Sequence, residues 1–197
     1  MYLTRVAVGE TKQAGRPRRE EISEKARDAA LRLARELGAE KVTMEGVALQ
    51  SGVAKTTLYR RWPSAPHLVM DAFLADLHPL IAYRHGETLR QTLVYALIDL
   101  ASALDSKRRE LLCHLIGAAQ SNTELRQAFW ESWIRPRREE GLKAMMAAGL
   151  GRERGEVILD LLFGAFYYRM LIPYAPIDAE WIKAIVSHVF PNEIPEK

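Results

Sequence analysis

The sequence has little cysteine: Cys113 is the single one among 197 residues. One cysteine excludes an intramolecular disulfide framework and is typical of proteins in a reducing compartment. The first residues also lack the apolar segment of a signal peptide, so we expect a cytoplasmic protein that is not exported. Long hydrophobic runs are missing too. Residues 157–172 form a stretch of 16 that contains Asp160 and Arg169, and a membrane span needs roughly 20 apolar residues. We expect no membrane partner.

Signatures of catalysis are absent as well. The sequence has no phosphate-binding glycine loop, no His-Glu-x-x-His motif and no nucleophile elbow. Cys113 and His114 are neighbours, and neighbouring side chains diverge on a helix, which is poor geometry for a catalytic dyad. Glu153, Glu156 and Asp160 share a helical face, but no histidine spacing completes a di-metal site. We expect no catalytic residues, no metal and no cofactor, and a helical enzyme is the less favoured alternative.

Positive charge is concentrated in the first third of the chain. Residues 1–62 contain 13 lysines and arginines against 8 acidic residues, whereas residues 63–197 contain 15 against 17. A basic N-terminal part attached to a slightly acidic remainder favours a nucleic-acid partner for the N-terminal part. Hydrophobic residues make up 48% of the chain, which is enough for a core in a small domain and a larger one.

Residues 43–62, TMEGVALQSGVAKTTLYRRW, predict a helix-turn-helix. Thr43 is a favourable N-cap for a helix from about Met44 to Gln50. Gly52 permits the positive φ of a sharp turn. A second helix is expected to start near Ala54 and to end before Pro63.

The two faces of this motif differ in chemistry. One set is apolar and spaced to pack inward: Val47, Val53, Leu58 and Trp62. The other set points outward and carries groups that donate to base edges and phosphates: Lys55, Thr56, Tyr59 and Arg60. These are the side chains that a recognition helix needs in a DNA groove.

This stretch resembles the TetR family of bacterial transcriptional regulators. The matching positions are Thr43, Val47-Ala48, Gly52-Val53, Thr57-Leu58-Tyr59 and Trp62-Pro63-Ser64, together with a Gly-Arg-Pro-Arg arm at residues 15–18. Beyond about residue 80 the resemblance is architectural. Two positions depart from the family pattern: Ala65 replaces a lysine that usually follows Pro-Ser, and His67 replaces an acidic residue.

A second resemblance covers only residues 52–59, which are similar to the helix-turn-helix of serine-type site-specific recombinases. In those proteins the motif lies at the C-terminus, behind a catalytic domain. Here it begins near residue 43 and helices follow it, so the TetR-type interpretation is preferred.

The residues and the resemblance together predict an all-α fold of about nine helices. An N-terminal three-helix helix-turn-helix DNA-binding domain is followed by a larger helical ligand-binding and dimerisation domain. The expected boundaries are a flexible basic arm over residues 1–18, the DNA-binding domain over 19–63 and the ligand-binding and dimerisation domain over 64–197.

Helical periodicity predicts the individual elements. The first helix begins at Glu20 and ends at Gly38. Ser64 caps a helix to about Tyr83, with an interruption at His78-Pro79. The later helices are expected over residues 88–104 after a Thr88 cap, over 106–119 after a Ser106 cap, over 122–149, over 157–172, and after an Asp178 cap. In the helix over 122–149, Pro136 should kink or divide the helix, and one face is expected to carry Leu125, Phe129, Ser132 and Trp133.

We assign the DNA contacts to three groups. Base edges are expected to be read by Lys55, Thr56 and Arg60. Phosphates are expected to be bound by Thr43, Thr57, Tyr59, Arg61 and Ser64. Arg16 and Arg18 of the arm are expected along phosphates or in a minor groove.

The last two helices are expected to form a homodimer. Residues 157–172 are apolar almost all round, so they must be covered on all sides, either within a large core or by a second subunit. In the family that the chain resembles, a four-helix bundle from the last helices dimerises the protein. The expected interface residues are Leu161, Gly164, Ala165, Tyr168, Ile182, Ile185, Val186 and Val189.

Aromatic and methionine side chains in the middle helices predict a pocket for a lipophilic or aromatic molecule. Its expected apolar lining is Phe129, Trp130, Trp133, Met145, Met146, Phe163 and Tyr167, and its expected polar contacts are His114 and Arg169. The resemblance implies a ligand-responsive repressor that binds a palindromic operator and is released by a small effector. A constitutive regulator or an activator without an inducer is the alternative.

Overall fold

The computed structural model describes residues 16–81 and 84–190, with side chains from residue 19 onward. Within these ranges every regular element is a helix, which confirms the all-α prediction. The helices are α1 Arg16–Leu37, α2 Met44–Ser51, α3 Lys55–Tyr59, α4 Ala65–Leu77, α5 Leu89–Ala103, α6 Ser106–Ser121, α7 Thr123–Phe129, α8 Arg135–Ala147, α9 Arg152–Leu171 and α10 Ala179–Val189.

Helix α1 packs mainly against α4 and α2. Its buried face is built from alanines, namely Ala26, Ala29, Ala30 and Ala34, which are small enough to let α4 approach closely. The helix begins at Arg16, four residues before the predicted start at Glu20, so residues 16–18 of the expected arm are helical. Residues 1–15 lie outside the described part of the chain.

The helix-turn-helix has the predicted local structure. Thr43 Oγ1 accepts a hydrogen bond from the amide of Gly46 at 3.0 Å and so caps α2. Gly52 ends α2 with a φ of 69°, in the left-handed region that glycine adopts without a steric penalty. Leu58 on α3 and Val47 on α2 are fully buried.

Helix α4 is interrupted at His78-Pro79, as predicted. It ends at Leu77 and continues as a 3-10 turn, His78–Leu80, because Pro79 has no N–H and disfavours a continued α-helix. The predicted end at Tyr83 lies outside the described residues. Ser64 occupies the predicted N-cap position, but its hydroxyl bonds to Nδ1 of His67 at 2.8 Å and not to a backbone amide.

Short polar residues begin most helices of the body. Thr88 caps α5, Asn122 caps α7 and Asp178 caps α10, each by accepting a hydrogen bond from the amide three residues later. The cap of α6 is Asp105, which accepts from the amide of Arg108 at 2.9 Å. The prediction of Ser106 was therefore one residue late.

Helices α7 and α8 are joined through a π-helical turn, Trp130–Ile134. Pro136 was expected to kink or divide one helix, and the helix is divided: Pro136 lies in the first turn of α8, where its missing N–H is tolerated. A π turn shifts the helical phase, so Ser132 and Trp133 do not share one face as predicted. Trp133 is buried, whereas Ser132 and Trp130 are exposed.

Helices α8 and α9 form a close pair that completes the body. A Cβ atom on Gly155 would lie 2.9 Å from Cδ2 of Leu142, so glycine sets how closely the helices pack. Arg138 on α8 bonds to Asp160 on α9 at 2.7 Å and also to Glu156. Helix α10 then packs against α5 and α9.

We predict that Leu58→Ala lowers the free energy of unfolding by about 2 to 5 kcal/mol, because it leaves a cavity at the centre of the helix-turn-helix. The measurement is chemical denaturation followed by circular dichroism. Leu49→Ala on α2 is the matched control, since Leu49 is 88% exposed; it should change stability by less than about 0.5 kcal/mol. Equal losses for both variants would contradict this packing.

Candidate functional site

The exposed side of α3 gathers the residues predicted to read DNA. Lys55, Thr56, Tyr59 and Arg60 are all exposed. Leu58 and Trp62 lie in the core on the opposite side. A single short helix therefore presents two cationic groups, two hydroxyls and an aromatic ring on one surface.

The end of this recognition helix is tied to its neighbours. The indole Nε1 of Trp62 donates to Oδ2 of Asp71 on α4 at 3.0 Å, and Arg27 of α1 lies 3.9 Å from the same carboxylate. Arg61 donates to the hydroxyl of Ser23 on α1. Arg61, which was predicted to bind phosphate, is thus half-buried against α1.

An ion pair crosses the recognition surface. Lys55 Nζ lies 3.1 Å from Oε1 of Glu45 on α2. A hydrogen bond from its own backbone amide lowers the pKa of Glu45 below its usual range, and the Lys55 contact lowers it further. Glu45 is therefore ionised at neutral pH, and a phosphate or base that binds Lys55 must compete with it.

The other residues predicted to contact phosphates lie in different settings. Thr43 is exposed although its hydroxyl caps α2, and Thr57 is half-buried. Ser64 is half-buried and bonded to His67. Arg16 and Arg18 belong to the first turn of α1, and their side chains lie outside the described residues.

The predicted dimer residues separate into two groups. Leu161 and Tyr168 are 57% and 59% exposed, Gly164 is exposed, and Ala165, Ile185 and Val189 are half-buried. Ile182 and Val186 are fully buried within the chain, so their assignment to the dimer interface was wrong. They occupy the face of α10 that packs against α5 and α9.

A cavity of about 60 Å³ lies among α5, α8, α9 and the segment after α4. Its apolar lining comes from Ile81, Leu93, Leu100, Ala144, Leu159 and Phe163. The polar residues of its wall are Arg84, His85, Thr92, Arg137 and Glu140. Of the predicted ligand residues, the cavity includes only Phe163.

The other predicted pocket residues have different surroundings. Trp130, Met146 and His114 are exposed, and His114 Nδ1 lies 4.0 Å from Glu40 beside the head. Met145 is fully buried and Phe129 packs on the core. Arg169 donates to the carbonyl of Pro176 and lies over the ring of Trp181. None of these six residues lines the cavity described above.

Trp133, which is buried, and Tyr167, which is half-buried, instead contact each other. Nε1 of Trp133 donates to the Tyr167 hydroxyl at 3.0 Å. The guanidinium of Arg137 lies 3.2 Å from the centroid of the Trp133 ring and donates to the Trp133 carbonyl at 3.1 Å. Burial raises the pKa of Tyr167, although the Trp133 hydrogen bond and the charge of Arg137 act in the opposite direction.

Sequence reasoning missed every lining residue of the cavity except Phe163, and three of the missed residues are small. Ala96, Gly141 and Ala144 line the cavity from α5 and α8, and their short side chains leave its space unfilled. A search for large aromatic residues overlooks such positions. A usable signal would have been small residues on helices predicted to face each other.

Two further sequence expectations concern metals and membranes. No group of three or more metal-ligating side chains occurs among the described residues. No helix in the same part of the chain is long and apolar enough to cross a membrane.

A helix-turn-helix head on an all-helical body defines a transcriptional regulator of the helix-turn-helix class. Two family models match the chain: "Bacterial regulatory proteins, tetR family" over residues 26–69 and "Tetracyclin repressor-like, C-terminal domain" over residues 85–189. The chain belongs to the TetR family of bacterial transcriptional regulators. This finding indicates a regulator rather than an enzyme.

Individual relatives agree with this assignment. The HTH-type transcriptional regulator YdeS of Bacillus subtilis is 28% identical over 184 residues, which cover 89% of this chain and 91% of YdeS. Rv1556 of Mycobacterium tuberculosis, another HTH-type transcriptional regulator, is 28% identical over 81% of both chains. The TetR-family transcription regulator SCO0332 is 28% identical in sequence to this chain. Its crystal structure superposes with a TM-score of 0.72, over 87% of this chain and 97% of SCO0332.

We predict that Tyr167→Phe destabilises the body by about 1 to 3 kcal/mol, because it leaves the buried Trp133 N–H without its acceptor. The measurement is chemical denaturation at neutral pH. Tyr168→Phe, at the exposed neighbouring position, is the control and should have little effect. Equal stability of the two variants would contradict this role of the Tyr167 hydroxyl.

The raised pKa of Tyr167 also predicts a pH dependence. Above a pH of about 10 the tyrosine ionises first in the unfolded chain, so its contribution to stability falls as the pH rises further. Tyr167→Phe should remove this part of the alkaline loss. An identical alkaline profile for the two proteins would contradict the shift.

Proposed function

We propose that this TetR-family chain is a ligand-responsive repressor. As a homodimer it binds a palindromic operator in the cytoplasm, and a small lipophilic or aromatic effector releases it. The observation that carries this proposal is the position of the cavity, whose wall includes Ile81, four residues after the end of α4. Because α4 also packs against the head, a ligand in the cavity and DNA on α3 would act on one shared helix.

In this proposal α3 lies in the major groove. Lys55, Thr56 and Arg60 contact base edges, since ammonium and guanidinium groups donate to guanine and a threonine methyl contacts thymine. Tyr59, Thr43 and Thr57 contact phosphates, which set the register of the helix without reading sequence. These roles are supported by the exposure of Lys55, Thr56, Tyr59 and Arg60.

We predict that Arg60→Ala weakens operator binding by about 1 to 3 kcal/mol and relaxes the preference at one base pair. Tyr59→Phe should weaken binding to all sequences about equally, because its hydroxyl contacts a phosphate. Fluorescence anisotropy with a selected duplex and its single-base variants, at fixed salt, measures both effects.

Arg126→Ala removes the same charge from an exposed position on α7 and is the matched control. It should leave affinity and sequence preference unchanged. An Arg60→Ala variant that lost affinity equally for every duplex would show that Arg60 contacts the backbone and not a base.

Dimerisation is supported by an apolar stripe on α9. Val157, Leu161 and Tyr168 are spaced at helical intervals and each is more than half exposed. Ile185 and Val189 on α10 border the same groove as Val157 and Leu161. A second copy related by a two-fold axis would cover this stripe and bring two α3 helices to successive half-sites, about 34 Å apart.

We predict that Leu161→Arg converts the dimer to a monomer, because the interface would then bury two unpaired guanidinium groups near its two-fold axis. Sedimentation equilibrium measures the association state, and circular dichroism checks the fold. Met146→Arg places the same charge at an exposed position on α8 and should stay dimeric. A dimeric Leu161→Arg protein would contradict the proposed interface.

The coupling route runs through Asp76 near the end of α4. Asp76 accepts from Arg35 of α1 and from Arg108 of α6, each at 2.8 Å. Arg108 also binds Asp105 at the start of α6. One carboxylate therefore joins the head, α4 and the body, and a displacement of Ile81 by a ligand would change the position of α4 relative to both partners.

A further inference from the structure

We propose that Glu45 is a specificity-determining residue of the DNA interface, because it holds the ammonium of Lys55 away from phosphates and leaves it available to a base. This inference rests on the proposed function, since it takes the exposed face of α3 as the DNA-reading surface. It adds to that function an acidic residue on α2 that lowers binding to DNA other than the operator.

The Glu45–Lys55 pair lies across the turn of the helix-turn-helix. Glu45 is in the first turn of α2 and Lys55 is the first residue of α3, and Nζ of Lys55 lies 3.1 Å from Oε1 of Glu45. Their side chains are 60% and 54% exposed, so the contact lies at the surface and not in the core. In a helix-turn-helix the start of the second helix reaches base edges, while the first helix crosses the phosphate backbone. The pair therefore lies where both kinds of DNA group approach.

The pair changes the charge that the recognition surface presents. This surface carries two cations, Lys55 and Arg60. Among the residues that the structure describes, an acid pairs with Lys55, whereas none lies within ion-pair distance of Arg60. Glu45 stays ionised at neutral pH, because its own backbone amide and Lys55 lower its pKa. The ammonium of Lys55 is thus neutralised in the free protein, and the guanidinium of Arg60 is not.

Stability alone gives this pair little purpose. Ion pairs between exposed side chains contribute little to stability, because water and salt screen them. A carboxylate in the first turn of a helix interacts favourably with the helix dipole, but that role of Glu45 needs no lysine. The effect of the pair on DNA binding is therefore separable from the effect of Glu45 on α2.

The pair treats a phosphate and a base differently. A phosphate oxygen that approaches Lys55 is negatively charged and is repelled by the carboxylate of Glu45. A guanine edge is neutral and presents the O6 and N7 acceptors. Since an ammonium has three N–H donors, Lys55 can keep one on Glu45 and direct another to guanine. Glu45 therefore weakens a phosphate contact of Lys55 more than a base contact.

The test compares the wild-type chain with Glu45→Gln on two duplexes. One is the operator selected from a random pool, and the other is a scrambled duplex of the same length and composition. Fluorescence anisotropy gives both affinities at several salt concentrations. In Glu45→Gln the lysine is free to bind a phosphate, and each such contact adds about 0.9 to the slope of log affinity against log salt.

We expect the slope for the scrambled duplex to steepen by about 0.9, and its affinity at the lowest salt to rise at least about threefold. Operator affinity should change by less than about twofold, because the base contact of Lys55 is already made in the wild-type chain. The ratio of operator affinity to scrambled-duplex affinity should therefore fall.

Two further variants separate this role from a general effect of charge. Glu36→Gln makes the same charge change at an exposed position on α1, next to Arg35, which bonds to Asp76 near the end of α4. It should leave the affinity ratio and the salt slope unchanged. Glu45→Gln added to Lys55→Ala should also leave the slope unchanged, because no cation is then freed. Circular dichroism checks that the variants keep the helical fold.

Equal affinity ratios in the wild-type chain and in Glu45→Gln would overturn the inference. A steeper slope that persists without Lys55, or that appears in Glu36→Gln, would overturn it as well. When the wild-type chain is selective in these cases, sequence reading by α3 stands and only the role of Glu45 is refuted. A wild-type chain that binds both duplexes equally would refute the proposed function together with this inference.

Discussion

The hydrogen bond from Trp62 to Asp71, together with the burial of Leu58, holds the recognition surface in place. Helix α3 has five residues, and isolated helices of that length are not stable in water. Its orientation is therefore set by what it packs against: the core beneath Leu58, α4 through Asp71 and α1 through the Arg61 contact with Ser23. The face of α3 that we propose reads DNA therefore cannot change its position independently of α1 and α4.

Because of this dependence, a ligand in the small cavity would change the position of the distant α3 surface by moving α4. Helix α4 joins the head to the body: its Asp71 holds the end of α3, its Asp76 bonds to both α1 and α6, and the chain after it reaches the cavity at Ile81. A ligand that fits only one position of this segment would bias α4, and α4 would bias α3. The energy available is limited to the difference in ligand affinity between the two positions.

The sequence predicted the head well because its determinants are local. A threonine cap at residue 43 and a glycine turn at residue 52 act within a few residues, whatever surrounds them. The body was predicted less accurately because its determinants are tertiary. An all-round apolar pattern does not tell which face of α10 packs inside the chain, so Ile182 and Val186 were misassigned. The cavity is lined in part by small side chains, which a search for aromatic residues overlooks. The π turn at residues 130–134 separates Ser132, which is exposed, from Trp133, which is buried, although regular periodicity placed both on one face.

The most direct test of the account is a fluorescence-anisotropy titration of the purified protein against duplexes selected from a random pool, at several salt concentrations. We expect the selected duplex to be palindromic and to bind two protomers. Arg60→Ala should relax the base preference at one position in each half-site. Weak, sequence-independent binding that depends steeply on salt would contradict it, because phosphate attraction alone would then explain the contact with DNA.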